Sequence, residues 1–272
     1  MSSIDFFTFV YKDTYKYAEF LRRNCELLKS GENDINYKCV ESIRSDKIPY
    51  GFQHVSTTEE YGHNSYNHSI AVNESFNHIK SKYVIIADCD ISILYKNWDE
   101  IILDELQNNF CFGFSYHDSL PRYANFPNVF LFCFRSDMLG EMELDFRPEI
   151  IEGKDAPKRY SIKDPIEAKF MNRKIGFQIK CDTGWKIPLI VRSHGLGGKG
   201  MRCVHMNEPN RLLPFRNNKQ KRFCMLKPTH MSEWHYKGKL FGTHKQACRS
   251  HSIDSKWGRA WVDRIELYLK GE

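Results

Sequence analysis

The amino-acid sequence predicts an α/β fold built on a largely parallel sheet, and three observations carry that expectation. Strand-like and helix-like stretches alternate over roughly the first 95 residues, the pattern of a sheet whose strands are joined by crossover helices. Two strand-like runs, DFFTFV (5–10) and VFLFCF (129–134), are almost wholly apolar instead of alternating, as strands buried on both faces are. A third run, Tyr83–Ala87, stops at two acids, Asp88 and Asp90. They stand at the carboxyl end of a strand, where open α/β sheets bind their ligands.

Residues 5–10 suit a buried strand. Thr14 can cap a helix through Leu28, in which Tyr17, Phe20, Leu21, Cys25 and Leu28 recur close to the 3.6-residue period. A second strand over 35–40 ends in Glu41-Ser42. The stretch HNSYNHSIAVNESFNHIKSK (63–82) reads as a loop feeding a helix from about His68, which delivers the chain to YVIIA. Residues 98–106 are helical. CFGFSY (111–116) and VFLFCF are further strands, the second of them central. Two helix–glycine–strand units follow: 165–174, Gly176 and FQIKC, then 183–193, a GLGGKG turn (195–200) and MRCVHM. That turn lacks the preceding strand a phosphate-binding loop requires. From 207 onward the chain is basic, aromatic and irregular until a helix over 257–269.

A composition of 41% hydrophobic and 27% charged residues over 272 positions is that of an ordinary globular protein with a sizeable core. No apolar run approaches the roughly 18–20 residues of a membrane span, and the N-terminus has no signal-peptide pattern, so a cytoplasmic location is expected. Nine scattered cysteines without a CxxC pair argue against a zinc ribbon or a disulfide framework and suit packing in a reducing compartment. Charge is unevenly spread. Residues 186–272 hold 18 Lys+Arg against 6 Asp+Glu, a balance of +12, while residues 1–185 hold 22 against 28, a balance of −6. A basic C-terminal third suits an anionic partner.

Being two apart on an extended backbone, Asp88 and Asp90 point the same way. Two like charges on one side repel unless a cation lies between them. A divalent ion shared with a nucleotide diphosphate would satisfy both, since Mg²⁺ and Mn²⁺ favour hard carboxylate and phosphate oxygens. The ordinary alternative is a simple turn at a strand end.

On the segments VES (40–42), HSIAVN (68–73), YVIIADCD (83–90) and ILYKNWDE (93–100), the chain resembles the inverting, nucleotide-sugar-dependent glycosyltransferases of the GT-A fold, over about residues 1–205. The resemblance implies a GT-A fold with a mostly parallel central sheet flanked by helices. It divides the chain into a catalytic domain, 1–206, and a basic C-terminal region, 207–272, that completes the acceptor side. It also implies a nucleotide-diphosphate sugar as donor, with Mn²⁺ or Mg²⁺. Carried over, Tyr11 and Glu41 face base and ribose, Asn73 lies on the donor side, Asp88 faces ribose or metal, and Asp90 holds the metal. An inverting transfer needs a carboxylate to take the acceptor proton. Asp182 in CDTGWKIP and Asp164 in KDPIEAKF both resemble the family's base at a helix start, and Asp182 is preferred. Members often add a C-terminal histidine to the metal. His235 in EWHYKGKLFGTH (233–244) is the candidate, with His194 in RSHGLGG as runner-up.

Two other readings compete. A nucleotidyltransferase shares paired acids and fold type but carries a glycine-rich loop after the first strand, where this chain reads VYKDTYKY. A non-catalytic nucleic-acid-binding protein would use the basic C-terminal third with its interleaved Phe215, Phe223, Trp234, Tyr236, Phe241 and Trp257, but leaves Asp88 and Asp90 unexplained. A hybrid also follows: the acceptor hydroxyl could belong to a saccharide or to a hydroxylated base in DNA, extruded into the cleft.

Overall fold

The computed structural model describes residues 1–10, 14–41, 47–55, 65–116, 125–140, 142–152, 173–175, 178–181, 183–206, 232–245 and 252–271. Its strands are β1 (Ser3–Val10), β2 (Asp34–Glu41), β3 (Gln53–Val55), β4 (Tyr83–Asp88), β5 (Ile91–Ile93), β6 (Cys111–Phe114), β7 (Leu131–Arg135), β8 (Glu149–Glu152), β9 (Arg173–Ile175), β10 (Gln178–Cys181), β11 (Gly198–Met206), β12 (Ser232–Tyr236) and β13 (Lys239–His244). The helices are α1 (Tyr15–Leu28), α2 (Ser65–Ser75), α3 (Trp98–Asn108), α4 (Ile187–Ser193) and α5 (Lys256–Lys270).

Ten strands form one mixed sheet in the order β3-β2-β1-β4-β7-β6-β11-β12-β13-β5, and β8-β10-β9 form a small antiparallel sheet. The expected largely parallel sheet is therefore corrected. Among the described residues, only β3, β2, β1 and β4 make a continuous parallel block, and β6 with β11 adds one parallel pair. The pairs β4–β7, β7–β6, β11–β12, β12–β13 and β13–β5 are antiparallel. Parallel neighbours need a crossover and hairpins cannot supply one. The β12–β13 hairpin turns at Lys237 (φ 47°) and Gly238 (φ 80°), the two positive φ values of a type I′ turn.

Alternation along the strands feeds two cores, one on each face. Ile4, Phe6 and Val10 of β1 with Ile85 and Ala87 of β4 face α1, α3 and α5. Phe7 and Phe9 with Val84 and Ile86 face α2 and α4. Helix α5 is fastened to α1 through Trp261, whose ring lies 6.0 Å from Tyr17 and 5.4 Å from Phe20. Its N-terminus is capped by Ser255, whose Oγ accepts from Gly258 N–H at 3.1 Å. No helix among the described residues is long and apolar enough to cross a membrane.

Several local expectations change. Thr14 has helical backbone angles and makes no side-chain cap bond. Of the helix expected over 165–174, residues 165–172 lie outside the described residues and Arg173–Ile175 is strand β9. The GLGGKG turn is shorter than expected: the chain turns at Gly195 (φ 71°), and β11 already begins at Gly198. A Cβ on Gly198 would stand 2.5 Å from Cys111 Sγ, and one on Gly200 would stand 2.7 Å from Ser115 Cβ. These glycines let β11 lie close against its neighbours. Residues 232–244, read as irregular, are β12 and β13 and extend the same sheet.

Candidate metal centre

Strand β4 lies in the parallel block with every residue of Val84–Ala87 buried, and it ends at Asp88. The Asp88 N–H donates to the Phe130 carbonyl at 3.1 Å, so the first acid is fixed by the backbone on the way into β7. Cys89 and Asp90 turn the chain into β5. The Asp90 carbonyl accepts from Lys245 N–H at 2.8 Å, and Ile91 pairs with His244, the last residue of β13. A hairpin distant in sequence thus delivers a histidine to the paired acids.

His244 Nε2 lies 3.1 Å from Asp90 Oδ1 and 3.9 Å from Asp88 Oδ2. One ligand atom from each of the three residues can be chosen with all separations within 4.8 Å. Asp90 and His244 are buried, with side chains 5% and 7% exposed, while Asp88 at 21% opens to solvent. The His244 ring is held by Phe130 at 4.5 Å between centroids. Burial pulls its basicity down, but the charge and hydrogen bond of Asp90 and the charge of Asp88 outweigh burial and the opposing charge of Lys245. The net effect holds the imidazole above its ordinary value. On the other side of Asp88, His68 Nε2 from α2 lies 3.3 Å from Oδ1, and Phe9 packs edge-on to the His68 ring at 5.0 Å.

The donor set fits a hard divalent ion. Two carboxylates and one imidazole are ligands that Mn²⁺ accepts. At metal–ligand distances near 2.1 Å, adjacent octahedral positions lie about 3 Å apart, close to the Asp90–His244 separation.

Among the residues singled out from sequence, Asp88 and Asp90 come together. Glu41 ends β2, paired with Val10 of β1, and β1 pairs through Phe9 with Asp88. Glu41 therefore shares the carboxyl edge with Asp88, two strand spacings or about 10 Å across, and its Oε2 meets His54 Nε2 at 3.1 Å. Asn73 on α2 is engaged within the fold: its Nδ2 donates to Asp145 Oδ1 and its Oδ1 accepts from Phe146 N–H, each at 3.0 Å. His235 sits near the turn of the β12–β13 hairpin, opposite Leu240. That is four residues, or about 13 Å, from His244 along the strand, and its Nε2 lies 3.9 Å from Glu233 Oε2. His194 is exposed at the end of α4. Tyr11, Asp164 and Asp182 lie outside the described residues. Sequence reasoning missed His244 and His68. Both stood in stretches already singled out, HSIAVN and EWHYKGKLFGTH. A Lys-Gly hairpin turn was the available signal that the second stretch folds back and ends at His244.

No protein-family model matches the chain, and no curated protein matches it by sequence. Among solved structures, a mannosyltransferase from Pyrobaculum calidifontis in complex with GDP-Man and Mn²⁺ is similar, with a TM-score of 0.44 and 12% identity. The match covers 81% of this chain and 59% of that one, so the chain spans less than two thirds of that protein.

Proposed function

We propose that this chain is a metal-dependent glycosyltransferase that moves a sugar, with inversion, from a nucleotide-diphosphate donor to an acceptor hydroxyl. One observation carries the reading: Asp88, Asp90 and His244 converge at the carboxyl edge of the parallel strand block, where ligands of α/β sheets bind. The buried pair Asp90 and His244 would anchor a divalent cation, and the more open Asp88 would face both the cation and the donor. When bound, Mn²⁺ or Mg²⁺ supplies positive charge to offset the charge growing on the leaving diphosphate. Glu41, on the same edge, would accept a hydrogen bond from the ribose, and Tyr11 would face the base. His68 would keep the Asp88 carboxylate oriented from behind, as an outer partner of a ligand does.

The base that takes the acceptor proton is assigned to Asp182, with Asp164 as the alternative. Asp182 directly precedes Thr183-Gly184, a turn anchored by the 2.8 Å bond from Gly184 N–H to the Phe146 carbonyl. The acceptor is a saccharide hydroxyl or a hydroxylated base in DNA. The +12 balance of residues 186–272 is what favours keeping the polyanion.

A panel of nucleotide sugars, assayed for binding and hydrolysis with and without Mn²⁺, tests the reading. It predicts turnover of at least one donor only in the presence of the metal. Formation of a nucleotidyl product from a nucleoside triphosphate would point to nucleotidyl transfer instead.

A further inference from the structure

The segment 128–130 links the metal centre to the turn that follows Asp182. On one side the Phe130 carbonyl takes the Asp88 N–H, and the Phe130 ring covers His244. On the other side Val129 packs against Gly184: with φ at 76°, Gly184 comes so near that a Cβ would stand 3.3 Å from Val129 Cγ1. Asn128 directly precedes Val129 and Phe130. Its backbone N–H donates to the Phe114 carbonyl at 2.7 Å, and its Oδ1 accepts from Phe130 N–H at 2.8 Å. Among the described residues the side-chain Nδ2 has no hydrogen-bond partner, although Asn128 is only 8% exposed. A buried amide donor left without an acceptor is costly, so such a group ordinarily marks the place of a water or a ligand.

Asn128 lines a cavity of about 10 Å³ together with Tyr116, Pro127, Thr183 and Gly184. That is room for one water-sized group and no more. A whole sugar ring cannot enter, but a single hydroxyl can. Asn128 stands two residues before Phe130, whose carbonyl holds the Asp88 N–H.

We infer that Asn128 recognises one hydroxyl of the donor sugar, its Nδ2 donating to the hydroxyl oxygen while Oδ1 stays committed to Phe130. The inference rests on the glycosyltransferase reading above and adds to it the group that distinguishes a nucleotide sugar from a bare nucleotide. It explains why an asparagine with half of its amide unused stands beside both the metal centre and the Thr183-Gly184 turn. An aliphatic residue there would leave the Phe130 N–H unbonded, and an aspartate would remove the donor.

The test is calorimetric titration, in Mn²⁺, of UDP, GDP, UDP-glucose and GDP-mannose into the parent chain, Asn128→Asp and Asn128→Ala. The aspartate keeps the acceptor for Phe130 N–H, and the bare nucleotide reports whether each variant retains a folded metal centre. The parent should bind one nucleotide sugar more tightly than its parent nucleotide. Both variants should lose that sugar increment, roughly tenfold, while the bare nucleotide binds as before. An unchanged ratio of the two affinities in both variants, or no sugar increment in the parent, overturns the inference and leaves Asn128 with a structural water. Absence of any Mn²⁺-dependent nucleotide binding by the parent overturns the glycosyltransferase reading, and this inference with it.

Discussion

His244 is the residue on which the centre turns, because two carboxylates and the Phe130 ring meet at it. With no metal bound, the Asp90 and Asp88 carboxylates raise its proton affinity and favour the imidazolium. The sign of the pH effect follows. A histidine whose folded value lies above its unfolded one contributes stability in full below the unfolded value, here near 6.5, and that contribution fades as pH rises through the folded value. A cation must displace the same proton. The rise in Tm that Mn²⁺ produces should therefore be small below pH 6.5 and grow as pH increases. Thermal melts with and without Mn²⁺ across that range check this, and His244→Ala should flatten the dependence. His235→Ala should leave it in place. For the base, Asp182→Asn should lower transfer by roughly 10²–10⁴-fold with little change in donor affinity; if Asp164→Asn does this instead, the assignment moves there. Asp88 and Asp90 were legible because acids break an apolar run. His244 was overlooked because eleven histidines compete, and only the fold-back marked by the Lys-Gly turn singles out the one that ends beside the acids.

At the scale of elements, the parallel block is pinned at the end opposite the centre by a buried ion pair. Asp5 on β1 is fully buried, its Oδ1 2.8 Å from Lys38 Nζ of β2, while its Oδ2 accepts from Lys80 N–H and Ser81 N–H at 2.6 and 3.0 Å. Burial raises the Asp5 carboxyl, but the Lys38 hydrogen bond, the two backbone donors and the lysine charge win and hold it below 3.8. Its stabilising contribution is thus present above that value and is lost as pH falls through the lowered one. Asp5→Ala leaves Lys38 buried without its charge partner and should cost about 3–5 kcal/mol in urea unfolding at neutral pH. Helix α5 invites a second test: Trp261→Ala should cost about 3–5 kcal/mol as well, since the ring fills the space between α5 and α1. The first strands and helices could be read from sequence because local periodicity and burial agree there. β12 and β13 were missed because, although Lys-Gly between them signals a turn, two short strands in a basic stretch look like loop until paired with β11 and β5. The sense of the later strands is likewise a property of their connections, which no single strand records.

Over the whole molecule, the charge asymmetry and the metal centre make separable claims. If the +12 of residues 186–272 serves a DNA acceptor, binding should weaken with salt at a log–log slope of about −0.9 per phosphate contacted on a duplex. Charge reversal at Arg216, Lys219, Lys221 and Arg222, which lie outside the described residues, should reduce that slope without touching donor hydrolysis. No binding to DNA at low salt, or identical binding by parent and variant, leaves the saccharide acceptor. The centre itself is tested most directly by titrating UDP and GDP into the parent and Asp90→Ala, with Mn²⁺ and with a chelator, while circular dichroism reports the fold. The account predicts that the parent binds a nucleotide only when Mn²⁺ is present and that folded Asp90→Ala binds none. Equally tight, metal-dependent binding by Asp90→Ala, or binding by the parent that ignores the chelator, would contradict it.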